Sequence, residues 1–494
     1  MFSNTMPTQS VFPIKGQYIG GQWRPSDRRF DDVNPSNGEL WAQPFDASIS
    51  DTRAAIAAAQ EAFHDWSERP YTERSAYMLN VAELFEKRRP EIVKAVQQEG
   101  GGWFGKGQFE VGYTAGVFRA AAALNYSAIG EVLPSEHNKV SLAVRQPMGV
   151  VGVISPWNMP LILTSRGLAF PCAFGNTIVL KPSEDTPYVG GLLFAELFEE
   201  AGVPPGVLNV VTCSRESVAA VGDELIENPS IKGISFTGST PVGRSIAAKA
   251  GAHLKKACVE LGGKDSLIIR ADADMERALG AANFGSFMHQ GQICMSVEKV
   301  LVHEDIFDEF LRRFVERAAR LKMGDTADTD AVIGPLINDR QAQRVKSQID
   351  DAVAKGAKVW LGGRVHERFV EPTILTGVTP EMTLYRDETF GPVVPVIPFS
   401  SDAEAIRIAN DTEYGLSSGI ISADEERALA MARQLQTGSC HINCSSVNDE
   451  PHVPFGGMKA SGLGNHGGRW SLETFSQTRW ITMDRGGRPF PPVF

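Results

Sequence analysis

Between Val150 and Gly262 the chain alternates short, nearly unbroken apolar runs with longer segments of helical period. The runs are VVGVIS (150–155), TIVLKP (177–182), VLNVVT (207–212), IKGISFT (231–237) and KACVELG (256–262). Runs that are apolar on both faces belong to strands buried on both faces. Helical crossovers between them predict a parallel sheet covered by helices on each side. A second round begins near Asp265 with SLIIR (266–270), VEKVLVH (297–303), KVWLGG (358–363), VVPVIPF (393–399) and LSSGIIS (416–422). Helices are expected between them at Asp305 to Arg320 and Asp339 to Lys355, the latter ended by Gly356. The pattern predicts an α/β protein with two such units.

Residues 51 to 130 read as helical. Asp51 is expected to cap a run in which Ala55, Ala58, Ala62 and Phe63 recur at helical spacing. A second long helix is expected from about Thr72 to Gln98, stopping at Gly100-Gly101-Gly102. Two pieces fit neither unit. Residues 131–147 hold the alternating strand KVSLAVRQP, and the tail from Thr478 to Phe494 holds a second strand-like run followed by prolines. Such a hairpin and tail leave sheet edges open, so pairing with further copies of the chain is expected.

Composition narrows the partners. The formal charge is -11, which argues against a nucleic-acid partner, since phosphate binding needs a dense Lys/Arg surface. The N-terminus MFSNTMPTQSVFPIK lacks a charged segment followed by an apolar one, so secretion is not expected. The most apolar stretch, Met148 to Leu180, is interrupted by Trp157-Asn158, Arg166 and Asn176, which argues against a membrane span. Six cysteines in 494 residues form no disulfide framework and point to the cytoplasm. Cys440 and Cys444 flank His441 in SCHINC, but no matching ligand pair occurs elsewhere, so a strand is expected there and no metal.

Chemistry-bearing motifs gather where the predicted strands of the first unit end. FTGSTPVG (236–243) follows a strand and opens a helix, whose free N–H groups suit a phosphate; a tight turn with a Ser/Thr cap explains it equally well. KPSEDTP (181–187) places Lys181 and Glu184 at the first crossover, where a carboxylate can accept both hydroxyls of an adenosine ribose. A solvated loop is the competing reading. PWNMP (156–160) offers the Asn158 amide to a developing oxyanion, or to its own turn. ELGGK (260–264) places Glu260 where burial would raise a carboxylate into general-base range; otherwise it is an exposed loop acid. Sharing one sheet edge, the four form a face that a thiol in FMHQGQICMS (287–296), Cys294, would meet from the second unit.

FTGS, ELGGK, GQIC, Glu388-Thr389-Phe390-Gly391-Pro392 and PFGG (454–457) occur in one order along the chain. Together they resemble the NAD(P)-dependent aldehyde dehydrogenase superfamily from about Tyr18 to Thr482. The resemblance implies a Rossmann-like NAD(P)-binding domain (1–130 and 148–262), a second α/β catalytic domain (263–474), and a small β oligomerisation flap (131–147 and 475–494). It implies that Cys294 attacks the aldehyde carbon, with Asn158 and the Cys294 backbone N–H holding the oxyanion. Glu260 would then activate water against the thioester, which is a good acyl donor. For the cofactor it implies Lys181 and Glu184 at the adenine ribose, Gly238 and Ser239 at the pyrophosphate, Trp157 along the cleft, Glu388 at the nicotinamide ribose and Phe390 beside that ring. Ile154, Ser155, Ser183, Phe236 and Leu261 complete the expected lining. Glu184 favours NAD through repulsion of a phosphate, with NADP also admitted.

Within the family, PWNMPLILTSRGLAFPCAFGNTIVLKPSEDTP (156–187) and NDEPHVPFGGMKASG (448–462) resemble the benzaldehyde and vanillin dehydrogenase branch. An aromatic aldehyde substrate is therefore expected, with aliphatic and semialdehyde substrates as the alternative. Met159, Ile162, Arg166, Ile293 and Met295 are expected at the substrate tunnel, because Arg166 lies one helical turn beyond Ile162. Arg166 either orients a polar ring substituent or forms a structural ion pair. A non-redox cysteine esterase or acyltransferase is the rival from another class, and it leaves the cofactor motifs without a task. A dimer or tetramer of identical chains is expected.

Overall fold

The computed structural model describes residues 11–127, 129–136, 138–486 and 490. The predicted tail strand falls inside these bounds, whereas the start of the N-terminus and most of the final proline-containing segment lie outside them. The first sheet has eight strands. Its five central strands are parallel, in the order Leu208–Val210, Thr177–Lys181, Val150–Ile154, Ile231–Thr237 and Lys256–Glu260. From the central strand Val150–Ile154 the chain first winds outward on one side and then returns to build the other. The loops after these strands therefore diverge at a topological switch point and leave a crevice.

Both edges of this sheet are closed by antiparallel strands from distant sequence. Gln17–Ile19 covers one side, and Gly462–Leu463 pairs with Val259 and Glu260 on the other. The segment 263–474 thus sends one short strand back to the first sheet. Helix Pro160–Phe174 is buried along its entire length. It is predominantly apolar and has no solvent face, so its few polar side chains, Arg166 among them, must find partners inside the protein. No helix among the described residues is long and apolar enough to cross a membrane.

The second sheet is ordered Lys358–Leu361, Thr373–Thr376, Val393–Phe399, Val297–His303, Asp265–Ile269, Ser418–Ile421 and His441–Ile442. All neighbours are parallel except the edge strand Lys358–Leu361. The third sheet is small: Ser476–Asp484 pairs antiparallel with Lys139–Pro147 over nine positions, and Gly130–Val132 adds a third strand. Val132, Trp480 and Met483 are exposed on it.

Two helical expectations need correction. Asp51 does not cap its helix. Ser48 does, its hydroxyl accepting from the Asp51 N–H while the Asp51 carboxylate accepts from the Ser48 N–H, so Asp51 is the third residue of a capping box. The stretch Thr72 to Gln98 is not one helix but two, Tyr71–Lys87 and Arg89–Gly100. Pro90 has no N–H to continue the first helix, and it fits the first turn of a new one.

Candidate active site

Cys294 follows a turn with an unusual backbone. His289, Gln290 and Gly291 have φ of 49°, 56° and 68°, three left-handed residues in succession. For the two non-glycine residues that conformation costs roughly 1–2 kcal/mol each and persists only where tertiary contacts impose it. Those contacts are present. The Gln290 amide donates to the Pro335 carbonyl at 2.9 Å and to the Gly101 carbonyl at 3.3 Å, while the Gln292 side-chain oxygen accepts from the Ile337 N–H at 3.0 Å. Gly291 is required twice over, because a Cβ there would stand 2.2 Å from the Gly391 carbonyl oxygen.

Asn158 meets this loop from the end of strand Val150–Ile154. Its Nδ2 donates one hydrogen to the Gln292 carbonyl at 3.0 Å, which fixes the amide and leaves its second hydrogen for another acceptor. The helix that begins just after it, Pro160–Phe174, has no cap from its own flank. Glu110 serves instead, accepting from the Leu161 N–H at 3.0 Å, and an anion at that end suits the helix dipole. Glu110 is itself paired with Lys106 at 2.6 Å, both fully buried.

Glu260 is the last residue of strand Lys256–Glu260 and is only 2% exposed. No N–H or O–H group among the described residues bonds its carboxylate oxygens, and the Cys294 thiol lies beside them. Burial pushes its pKa up to about 8, while the positive charge of Arg166 and the Cys294 thiol pull it back. Burial, then the charge of Glu260, also raises the Cys294 thiol well above its ordinary value. The charge of an ionised Glu260 thus opposes ionisation of the thiol beside it. The two glycines that follow Glu260 let three segments converge. A Cβ on Gly262 would lie 2.7 Å from the Glu388 carboxylate, and one on Gly263 would lie 2.4 Å from the Cys294 carbonyl oxygen.

One cleft of about 900 Å³ collects these groups together with Ile154, Ser155, Trp157, Lys181, Ser183, Glu184, Phe236, Gly238, Ser239, Leu261, Glu388 and Phe390. Its chemistry fits a dinucleotide. Ser239 stands at the N-terminus of helix Thr240–Ala252 without spending its hydroxyl on a cap, so that end is available to a phosphate. Val218, Val242 and Ile246 give an apolar slot beyond it, and Ser155 carries a buried hydroxyl with no partner among the described residues. At the other end Glu388 accepts from the Gly263 N–H at 3.1 Å, and burial raises its pKa to about 7. Trp157 and Phe390 meet edge to face there, with ring centroids 5.5 Å apart.

Some of this lining carried no sequence signal. Arg340, Gln341 and Arg344 come from an ordinary amphipathic helix, Asp339–Ala354. Arg344 donates to the Glu388 carbonyl at 2.7 Å, and Gln341 to the Phe390 carbonyl at 2.9 Å, so this helix steadies the Glu388–Phe390 segment. Glu298 does so from the other side, accepting from the N–H groups of Thr389 and Phe390.

The expected tunnel residues form two apolar patches. Met159 and Ile162 pack with Leu163 against Tyr113 and Met288. Ile293 and Met295 pack with Leu416 and Phe455 around Cys294, again touching Met288. Arg166 links the patches: its guanidinium lies 3.9 Å above the Phe455 ring and donates to the Tyr113 hydroxyl at 2.9 Å. It is also ion-paired with Asp449, to which Tyr113 donates a hydrogen bond. The sequence assigns no chemistry to Tyr113, Asp449 and Phe455, although the last two stand within NDEPHVPFGG (448–457).

A thiol, a buried carboxylic acid and a fixed amide on a cleft whose lining suits a dinucleotide fit one class, the oxidoreductases that take such a cofactor. Comparison with known proteins makes the class specific. The sequence profile of the Aldehyde dehydrogenase family matches residues 23–481, and the chain belongs to that family. Its members oxidise small-molecule aldehydes with NAD(P)+. Over 478 residues the chain is 42% identical to a vanillin dehydrogenase of Pseudomonas fluorescens, covering 96% of this chain and 98% of that one. It is also 42% identical over 453 residues to an NAD(+) benzaldehyde dehydrogenase of Pseudomonas putida, covering 91% and 92%. Among solved structures, a salicylaldehyde dehydrogenase of Pseudomonas putida G7 in complex with salicylaldehyde superposes with a TM-score of 0.94. Identity there is 40%, with 96% of this chain and 99% of that one covered.

Proposed function

We propose that the protein oxidises an aromatic aldehyde to the carboxylic acid, with Cys294 as nucleophile, Asn158 in the oxyanion hole and Glu260 as general base. The observation that carries this reading is the meeting of Cys294, Glu260 and Asn158 on one cleft, with Phe455 packed beside Cys294 and Arg166 set between the Phe455 ring and Tyr113. Aromatic rings and a guanidinium suit the flat, polarisable ring of such a substrate. The named substrates of the relatives point the same way.

The chemistry follows from the residues. The Cys294 sulfur adds to the aldehyde carbon as its proton passes to Glu260. The charge that develops on oxygen is met by the free N–H of Asn158 and the backbone N–H of Cys294. A bound nicotinamide supplies the hydride acceptor. Once the acyl group stands on Cys294 as a thioester and Glu260 has released the thiol proton to solvent, the Glu260 carboxylate takes a proton from water. The water oxygen adds to the acyl carbon, and the carbon–sulfur bond breaks to return the thiol and release the acid. With its pKa raised to about 8, Glu260 can both accept and return a proton near neutral pH, which an ordinary carboxylate cannot do.

We assign the orientation of a polar ring substituent to Arg166, held for that task by Asp449 and Tyr113. NAD is the preferred cofactor on this reading, because Glu184 lies in the cleft where the ribose hydroxyls would be. The exposed strands of the third sheet support assembly into a homodimer or homotetramer. All six cysteines are free, which supports a reducing, cytoplasmic setting.

The test is a steady-state panel of aromatic, aliphatic and semialdehyde substrates, read by nicotinamide absorbance with product acid identified. Aromatic aldehydes should give the highest kcat/KM. A preference for aliphatic aldehydes overturns the aromatic assignment. Ester hydrolysis without any aldehyde-dependent reduction of the nicotinamide overturns the redox reading itself.

A further inference from the structure

We propose that Glu298, paired with Lys264, is a positioning residue for hydride transfer: it holds Phe390 from inside the protein and so fixes where the nicotinamide ring lies against Cys294. The proposal rests on the reading of Glu388 and Phe390 as the nicotinamide site. The Phe390 backbone is left-handed, with φ of 54°, a conformation that a bulky residue keeps only where surrounding contacts impose it. Glu298 supplies such contacts. Its carboxylate accepts from the Thr389 N–H at 2.8 and 2.9 Å and from the Phe390 N–H at 2.9 Å. Successive N–H groups at a left-handed residue form an anion-binding concavity, and here a buried side chain of the same protein fills it. Glu298 also meets the Lys264 ammonium at 2.7 Å, and that ammonium donates to the Thr389 hydroxyl at 3.2 Å.

The pair joins three chemistry-bearing segments. Lys264 stands four residues after Glu260, Glu298 four residues after Cys294, and Thr389 between Glu388 and Phe390. The Lys264 side chain is 0% exposed and that of Glu298 is 5% exposed, so neither can trade its partner for water. The carbonyls of the segment are held differently. Gln341 and Arg344, which donate to them, line the open cleft. Water can replace those donors, whereas the N–H groups facing Glu298 have no substitute acceptor and would be left orphaned. The other ionisable groups around the pair are committed elsewhere. Asp265 accepts from the Ser417 N–H at 2.7 Å, Glu388 accepts from the Gly263 N–H at 3.1 Å, and Lys299 donates to the Asp411 carbonyl at 3.2 Å. Loss of the Glu298 carboxylate therefore frees Phe390 to leave its left-handed conformation, while Cys294 and Glu260 keep their own supports.

Three readouts separate this role from general damage. They are the first-turnover rate with benzaldehyde carrying hydrogen or deuterium at the formyl carbon, the hydrolysis of p-nitrophenyl acetate without nucleotide, and the fluorescence lifetime of bound NADH, which lengthens as its ring is immobilised. Glu298→Gln should slow the first turnover by roughly tenfold or more, with a full isotope effect, while ester hydrolysis changes by less than about threefold. The lifetime of bound NADH should shorten, and calorimetric affinity for ADP should stay level. The double variant Lys264→Met, Glu298→Gln leaves no unpaired charge and should behave in the same way; it carries the test if the single variant does not fold. Equal loss of first turnover and ester hydrolysis overturns the proposal, and so does an unchanged NADH lifetime. A normal lifetime in the double variant overturns it as well, because the unpaired Lys264 would then be the cause. If Phe390→Ala changes neither the lifetime nor the first turnover, the ring-site reading beneath the proposal fails. Normal NADH binding without aldehyde turnover rejects the proposed reaction instead, and the lifetimes still decide the role of Glu298.

Discussion

The two sides of the catalytic chamber are held in place by different means. Asn158, Lys181 and Glu260 stand at or just beyond the ends of parallel strands whose neighbours are hydrogen-bonded in register. Their positions follow from sheet topology and need little else. Cys294 follows three left-handed residues that no local preference would choose. The turn before it is held through Gln290 and Gln292 by Gly101, Pro335 and Ile337, all far away in sequence. The sheet side is thus stable scaffold carrying replaceable chemistry, whereas on the thiol side the chemistry and the packing are the same residues. A substitution on the first should cost mainly activity, and one on the second should cost activity and stability together.

The largest effect tests the chemistry common to both sides. Cys294→Ala should lower kcat by about 10⁴-fold or more, because no other nucleophile is in place. Nucleotide affinity by calorimetry should be unchanged, since the thiol takes no part in holding the adenosine end.

The next pair separates the two sides directly. Asn158→Ala should lower kcat by about 10²- to 10³-fold, as for other single oxyanion donors, and destabilise the fold by only about 1 kcal/mol through loss of its bond to the Gln292 carbonyl. Gly291→Ala should also lower activity, and in addition destabilise the fold by about 2–4 kcal/mol, because its Cβ meets a backbone oxygen at positive φ. Equal thermal losses in the two variants would break the distinction.

Glu260→Gln should slow thioester hydrolysis by about 10²-fold, more than it slows acylation. In the unaltered protein the hydrolysis rate should rise with pH through about 8, as the buried acid ionises; in the variant that rise should vanish. The linkage has a definite sign. A carboxyl whose pKa rises from 4.5 to about 8 on folding contributes stability that is complete below 4.5 and is lost as pH rises through 8. The melting temperature of Glu260→Gln should therefore gain on that of the unaltered protein between those limits and stay level above them. A constant difference across that window contradicts the burial argument.

The smallest effect concerns the substrate wall. The Arg166 charge lowers the pKa of both Glu260 and Cys294, so Arg166→Met should move the midpoint of the pH–rate curve upward, by under about one unit. It should also reduce kcat/KM for hydroxylated benzaldehydes more than for benzaldehyde itself. Equal loss on both substrates would leave Arg166 as a structural partner of Asp449 only.

Legibility in the sequence follows the same division. The strands after Val150 could be read from their unbroken apolar runs, and the motifs at their ends from spacing alone. Boundaries set by competition between neighbours are not legible in that way. Ser48 and Asp51 both satisfy the cap pattern and only the fold chooses between them, while Pro90 breaks an otherwise continuous helical period. Arg344 and Asp449 gave no signal, since one exposed or amphipathic charge looks like another until its partner is known.

By itself the sequence determined the α/β class, the sheet edge on which the motifs gather, and the family resemblance, because strand period and motif order are local properties. Tertiary structure alone decided that Glu260 is buried, which raises its pKa into the range fit for proton transfer. It also decided that Arg166 is committed to Asp449, and that Lys264 stands against Glu298. Each of these depends on the distance between groups far apart in the chain, and electrostatic energy is set by that distance and by burial, which residue order does not contain.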